Sequence, residues 1–289
     1  PAWFLNRMQD IANLLVVLEE YDAAIAEDPE NTNAYYNRAI ANINLGNYSG
    51  AIADFSQVIM LDAENELAFY NRGLAYLETQ EYENATSDFQ HVIDLNPDNT
   101  IAYGLAAYSL ELQGEFKDAL DMYNQYESIS KTVAPSILNR VAEIETYIPM
   151  LETYDDAILT NPEDGEAYYE RGKVYAELGS YKLAADDFTQ SITLAVDKVD
   201  VYKERGLAYL ELEDYVNAEA DFRQAITLMS DDLSLYRFLG ASVDSQNRLE
   251  EALEIYQEYV TLSDGEVEQS VTTRIAEINA IIAQTEQGE

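Results

Sequence analysis

One six-residue pattern constrains this chain more than any other feature. Ala34-Tyr-Tyr-Asn-Arg-Ala39, Ala68-Phe-Tyr-Asn-Arg-Gly73, Ala167-Tyr-Tyr-Glu-Arg-Gly172 and Val201-Tyr-Lys-Glu-Arg-Gly206 share one form, and the first two, like the last two, stand 34 residues apart. A fixed period of that length marks a supersecondary unit that buries its apolar face only by stacking on copies of itself. In the unit that begins at Gly165, Tyr168, Arg171, Gly172 and Tyr175 recur at helical spacing and mark one inward face. Gly179 then breaks that helix, and Tyr181, Ala184 and Phe188 mark the inward face of a second one. Pro29, Pro97 and Pro162 follow helix ends, where they forbid continuation. Apolar residues make up 47% of the chain, enough for a continuous core, while six Pro and twelve Gly leave little of it for linker.

The spacing resembles the tetratricopeptide repeat, in which aromatic, Leu-Gly, Tyr, Ala, Phe and Pro positions recur at set offsets. From Glu66 to Asn99 the matching residues are Phe69, Arg72, Gly73, Tyr76, Tyr82, Ala85, Phe89 and Pro97. The resemblance implies an all-α, right-handed superhelical solenoid of about eight helix–turn–helix repeats with a C-terminal capping helix. It also implies a concave groove, lined by the first helices, that holds a protein or peptide. Extending the register predicts repeats from near residues 1, 32, 66, 100, 131, 165, 199 and 233 and a last helix from about Val267 to Ala283. The first and fifth are degenerate, with Trp3, Phe4 and Met8 in one and Ile137, Leu138 and Val141 in the other.

A longer period accounts for the degenerate repeat in the middle. A shift of 133 residues lays Tyr21-Asp22 on Tyr154-Asp155, Pro29 on Pro162, Arg38 on Arg171 and Tyr126 on Tyr259. One residue further on, Arg140-Val-Ala-Glu-Ile144 matches Arg274-Ile-Ala-Glu-Ile278. The chain therefore reads as a duplicated block, 1–130 and 131–289, in one continuous solenoid, with a packing irregularity near 127–135 and another at the C-terminal cap.

Arg at the seventh repeat position travels with Asp sixteen residues later: Arg38 with Asp54, Arg72 with Asp88, Arg171 with Asp187 and Arg205 with Asp221. Where the Arg gives way to Ala106, Ile137 or Leu239, the partner position holds Met122, Thr153 or Ile255. An Arg on a packed face requires a carboxylate, so the covariation predicts four structural ion pairs between first and second helices.

With 55 acids against 16 bases, the formal net charge is −39. Such a surface argues against nucleic acid and against anionic membranes. It either keeps an elongated molecule in solution or selects a cationic partner. The chain has no Cys, hence no disulfide, thiol nucleophile or thiolate metal site. That fits an exported bacterial protein and a cytosolic one equally, and the start at Pro1 leaves room for an upstream targeting or anchoring segment. No apolar run reaches transmembrane length.

Chemistry is scarce. His91, the single histidine, falls on a second helix at a position predicted to face solvent. A nucleophilic triad lacks its base, a zinc site lacks ligands, and Asn161-Pro-Glu-Asp-Gly165 and Ser263-Asp-Gly265 read as turns rather than calcium loops. Asn47-Tyr-Ser49 and Asn84-Ala-Thr86 match glycosylation sequons. The expectation is a non-enzyme without metal or cofactor.

Register places Asn33, Tyr36, Asn37, Ile40, Tyr70, Asn71, Leu74 and Tyr108 on the open face of the first helices in the N-terminal half. Rings give contact area with a polar tip, and amides pair with an extended backbone. These residues either line a groove for a peptide or pack against neighbouring repeats. In the C-terminal half Tyr169, Lys173, Lys203 and Arg237 share that face. The three bases form a cationic patch for a carboxylate unless Glu166, Glu170, Asp200 and Glu204 neutralise them. A carboxylate clamp of the kind some chaperone-binding relatives use is not expected, because Leu207 stands where the clamp has Asn. A scaffold that recruits a protein partner leads; a self-assembling structural module and an accessory region of a larger protein are the alternatives.

Overall fold

The computed structural model describes residues 2–196, 198–263 and 267–287, apart from the side chains of 2–6, 10 and 285–287. The side chains of Trp3 and Phe4, and the turn expected at Asp264-Gly265, lie outside the described residues.

The described chain is all helix, with no strand. It runs α1 (Ala2–Glu27), α2 (Thr32–Asn44), α3 (Tyr48–Leu61), α4 (Glu66–Glu78), α5 (Tyr82–Leu95), α6 (Thr100–Gln113) and α7 (Phe116–Ile129). Then come α8 (Pro135–Thr160), α9 (Gly165–Glu177), α10 (Tyr181–Thr193), α11 (Val199–Glu211), α12 (Tyr215–Leu228), α13 (Leu233–Ser245), α14 (Leu249–Leu262) and α15 (Gln269–Gln287). Packing divides the chain into two compact units, residues 1–145 and 146–289, with the boundary inside α8. In the first unit each helix from α1 to α7 packs on the next in sequence, and in the second the same holds from α9 to α15. That serial packing is the solenoid arrangement the repeat period implies.

Six repeats are helix pairs. The first and fifth, expected to be pairs as well, are each drawn out as one helix of 26 residues. The reason is local: neither carries the turn that ends a first helix elsewhere. At those turns a residue takes left-handed backbone, as Gly46, Gln80, Gly114, Gly179, Glu213 and Asn247 do. Pro149 lies inside α8 without ending it. Between α7 and α8 the backbone turns extended at Ser130, whose hydroxyl donates to the Thr132 carbonyl at 2.8 Å.

Helix starts are set by side-chain caps. Asn31, Asn47, Asn65, Asn99, Asp164, Asp214 and Asp232 each accept a hydrogen bond from a first-turn backbone N–H. Each such cap satisfies a donor that has no partner within the helix. Pro135 opens α8, where its missing N–H costs nothing. Phe55, Phe89, Phe188 and Phe222, one on the second helix of each Arg-bearing repeat, are fully buried. Gly172 is what admits Phe188, since a Cβ there would stand 2.8 Å from the ring edge. Gly240 does the same for Tyr256 at 2.5 Å. Among the described residues no helix is long and apolar enough to cross a membrane.

Candidate functional site

The N-terminal face is more closely packed than an open groove. The Tyr36 ring meets Phe55 edge-on at 5.5 Å, and its hydroxyl accepts a hydrogen bond from Asn71 at 3.0 Å. Tyr70 meets Phe89 edge-on at 6.3 Å, while Ile40 and Leu74 pack on the cores beneath them. Tyr36 and Asn71 thus tie neighbouring repeats together. Asn33, Asn37 and Tyr108 are the exposed members of the set. The only histidine, His91, is exposed; it stacks flat on Phe69 at 4.9 Å, and its Nδ1 lies 2.8 Å from the Ser87 carbonyl.

The three bases of the second unit are each engaged. Lys173 Nζ lies 2.9 Å from Glu170, Lys203 Nζ 2.8 Å from Asp232, and Arg237 Nε 3.4 Å from Glu268. Glu170 belongs to the carboxylates that the sequence offers as neutralisers, whereas Asp232 and Glu268 lie outside that set. Tyr169 is not an open ring but a buried one, packed at 5.9 Å on Phe188 with Lys173 over its face. Burial, with Asp200, Glu204, Glu170 and Glu166 around it, pushes its hydroxyl up to about 12. The free cationic patch is therefore corrected to a set of paired bases.

What the second unit does present is an acidic cleft of about 530 Å³ between α8, α9 and α11. Glu170, Glu177, Glu204 and Glu211 line it, with Lys173 as the one base among its lining residues. Val174, Leu207, Tyr147, Met150 and Tyr181 supply its apolar and aromatic lining. Glu177 and Glu211 escaped the sequence reading, and Glu204 entered it only as a neutraliser of the bases. Their signal was the seven-residue step from Glu170 to Glu177 and from Glu204 to Glu211, which aligns carboxylates along one helix face.

Glu204 is the strained member. Burial pushes its carboxyl up; Lys203 and Lys173 pull it down, and Asp200 and Glu177 add to the rise. A carboxyl whose folded pKa is raised gives stability below its ordinary 4.5 that is lost as pH climbs through the raised value. Glu204→Gln is therefore expected to stabilise the protein at pH 8, with the gain shrinking as pH falls to 5. Urea denaturation of both proteins across that range measures it, and a pH-independent difference would reject the assignment.

Profiles of the tetratricopeptide repeat match residues 20–53, 42–80, 67–99, 151–195 and 203–267, so that between them they span most of the chain. The chain belongs to the tetratricopeptide repeat family. Among solved structures, a tetratricopeptide repeat protein from Parabacteroides merdae is 18% identical, with 82% of this chain and 95% of that one covered and a TM-score of 0.45. The TPR2AB domain of yeast Sti1, solved with pHSP90, is 18% identical over 86% of this chain and 98% of its own, at a TM-score of 0.37. YrrB, a TPR protein described as having an unusual peptide-binding site, is 19% identical over 76% and 97%, at a TM-score of 0.34. No curated protein sequence matches this chain.

Tetratricopeptide repeats are protein-interaction scaffolds in general, and here the scaffold is held by a clamp used four times. Arg38 donates through Nε and Nη2 to the two Asp54 oxygens at 2.9 and 2.6 Å. Arg72 does so to Asp88 at 2.8 and 2.7 Å, Arg171 to Asp187 at 2.8 Å for both, and Arg205 to Asp221 at 2.8 and 2.7 Å. Two parallel bonds per pair fix direction as well as charge. The remaining Nη1 reaches back sixteen residues, to Asp22, Ser56, Asp155 and Thr189 respectively. Each tetratricopeptide Arg thus joins three successive helices. Aromatic rings flank it, such as Phe69 and Tyr76 about Arg72 and Tyr168 and Tyr175 about Arg171.

Proposed function

We propose that this protein is a non-catalytic scaffold that binds a segment of a partner protein in the α8–α9–α11 cleft, and that the segment brings a lysine or arginine side chain. The carrying observation is the lining: four glutamates face one lysine, and that lysine is already bonded to Glu170. A cation entering there meets carboxylates only partly neutralised, in a cleft whose apolar lining, Val174, Leu207 and Ala208, weakens screening by water. Tyr147, Met150 and Leu207 offer apolar contact for the stem of a long basic side chain. A binding rather than a catalytic role is supported by the single histidine, His91, whose ring is stacked on Phe69 with its Nδ1 at the Ser87 carbonyl, in a chain without Cys.

The experiment is capture of partner proteins on the immobilised chain, followed by binding of their mapped peptides by fluorescence anisotropy. Glu177→Lys/Glu211→Lys is expected to weaken a basic peptide by about tenfold or more, with a steep loss on adding salt. Undiminished binding by that variant, or a captured set of acidic peptides, would overturn the reading.

A further inference from the structure

Three of the four clamp arginines lie between two aromatic rings. One ring stands three residues before each arginine, at Tyr35, Phe69, Tyr168 and Tyr202, and in three repeats a tyrosine stands four residues after, at Tyr76, Tyr175 and Tyr209. Those offsets bring both rings to the arginine's own helix face, one turn to either side. The second ring lies 5.7 Å from the guanidinium carbon of Arg72, 5.6 Å from that of Arg171 and 5.8 Å from that of Arg205. Among the described residues Arg38 has the first ring alone, Tyr35 at 5.6 Å. Asn42 stands where the second belongs.

The exchange leaves a hollow of about 300 Å³ beside Arg38, lined by Leu18 and Asp22 of α1, Asn42 of α2, and Gly50, Ala53 and Asp54 of α3. Asn42 does not refill it. Its side chain is buried against the clamp, with Oδ1 accepting from the Asn47 amide at 2.9 Å and Nδ2 at 3.4 Å from Asp54. Gly50 makes room for that Asn47 amide, since a Cβ would stand 2.4 Å from its nitrogen, and the counterparts Asn84, Leu183 and Asn217 all carry side chains. In the second unit Leu151, Asp155 and Arg171 match Leu18, Asp22 and Arg38, and there Tyr175 covers the arginine. The hollow therefore follows from residue 42, not from the position of the repeat in the array. Arg38 commits Nε and Nη2 to Asp54 and Nη1 to Asp22, so its fork is turned to two carboxylates and its flat face is what remains. A guanidinium face takes an aromatic ring.

We propose that this hollow binds a tyrosine side chain of a partner protein, whose ring stacks on Arg38 as Tyr76, Tyr175 and Tyr209 stack on their own arginines. The chain itself supplies the template for the occupant, three times over. Leu18 and Ala53 give the ring apolar contact. Asp22 bonds Arg38 through Oδ1, which leaves its second oxygen to accept from the phenol hydroxyl. Phosphorylation of the incoming tyrosine brings a dianion against Asp22 and Asp54 and blocks docking. The site lies in the first unit, and the inference does not rest on the cleft proposed above.

Titration of the full chain with N-acetyl-tyrosinamide, followed by NMR at the Arg38 Nε–H resonance, tests it. A ring over the guanidinium is expected to move that resonance upfield and to saturate with a dissociation constant of about 1–10 mM, in keeping with so small a ligand. N-acetyl-leucinamide and the phosphotyrosine amide are each expected to bind about tenfold more weakly or worse. Asn42→Tyr is expected to shift the same resonance with no ligand present and to cut the affinity by about tenfold or more. Ala53→Leu, at an exposed position, narrows the hollow and is expected to weaken binding as well, which keeps the test open should Asn42→Tyr fail to fold. An Arg38 resonance that the tyrosine amide leaves in place overturns the proposal. So does a leucine amide that binds as well as the tyrosine amide, or undiminished binding by the folded variants.

Discussion

Arg72→Ala is expected to lower the unfolding free energy by roughly 3–5 kcal/mol, because it strands Asp88 as an unpaired charge in a packed interior. The Asp88 side chain is only 4% exposed, against 18% for Arg72. Asp88→Ala is therefore expected to cost less: the guanidinium keeps Ser56 and can reach water at its rim. The double variant should cost least of the three, since it removes both the charge and its counter-charge. Urea denaturation of the three proteins, with hydrogen exchange on α4 and α5, gives the order. A double variant as damaged as Arg72→Ala would show that packing, not pairing, carries the effect.

Phe188→Ala is expected to cost a further few kcal/mol, roughly 3–5, through lost burial and the cavity left behind. The ring is fully buried and lies against Gly172 on one side and Tyr169 on another. The cavity gives the prediction a second arm. Gly172→Ala adds a Cβ that collides with Phe188 in the parent protein, yet fills space in the Phe188→Ala background. There it is expected to recover about 1 kcal/mol, helped by the better helix propensity of alanine. A Gly172→Ala change of equal sign and size in both backgrounds would refute the close approach of these two helices.

Much of the fold could be read from Arg171, Gly172, Ala184 and Phe188, because a repeated unit supplies its own comparison set. Residues that vary together across repeats, such as Arg205 with Asp221, announce a contact that no single repeat would. The long helices were hidden for the converse reason. Residues 1–31 and 131–160 have no Gly or Asn turn to show, and the sequence expectation borrowed one from their neighbours. The backward reach of each Arg was hidden too, since its partner alternates between Asp22 or Asp155 and Ser56 or Thr189. The site was legible in part. Register put Lys173 on the right face, but pairing depends on side-chain reach across repeats, and Asp232 and Glu268 lie on the following turn and loop. The cleft took its character from glutamates that looked unremarkable in so acidic a chain.

The three-helix reach of the arginines bears on how this chain would respond to being pulled from its ends. Arg38 and Arg72 fasten α1 through α5, and Arg171 and Arg205 fasten α8 through α12, each clamp sharing a helix with the next. Peeling off one repeat in such a run breaks a bond in its neighbour. Helices α6 and α7, with Ala106 and Met122 at the clamp positions, interrupt the run. Under tension the array should therefore lengthen in a few large steps, each releasing a clamped set of helices together, rather than one repeat at a time.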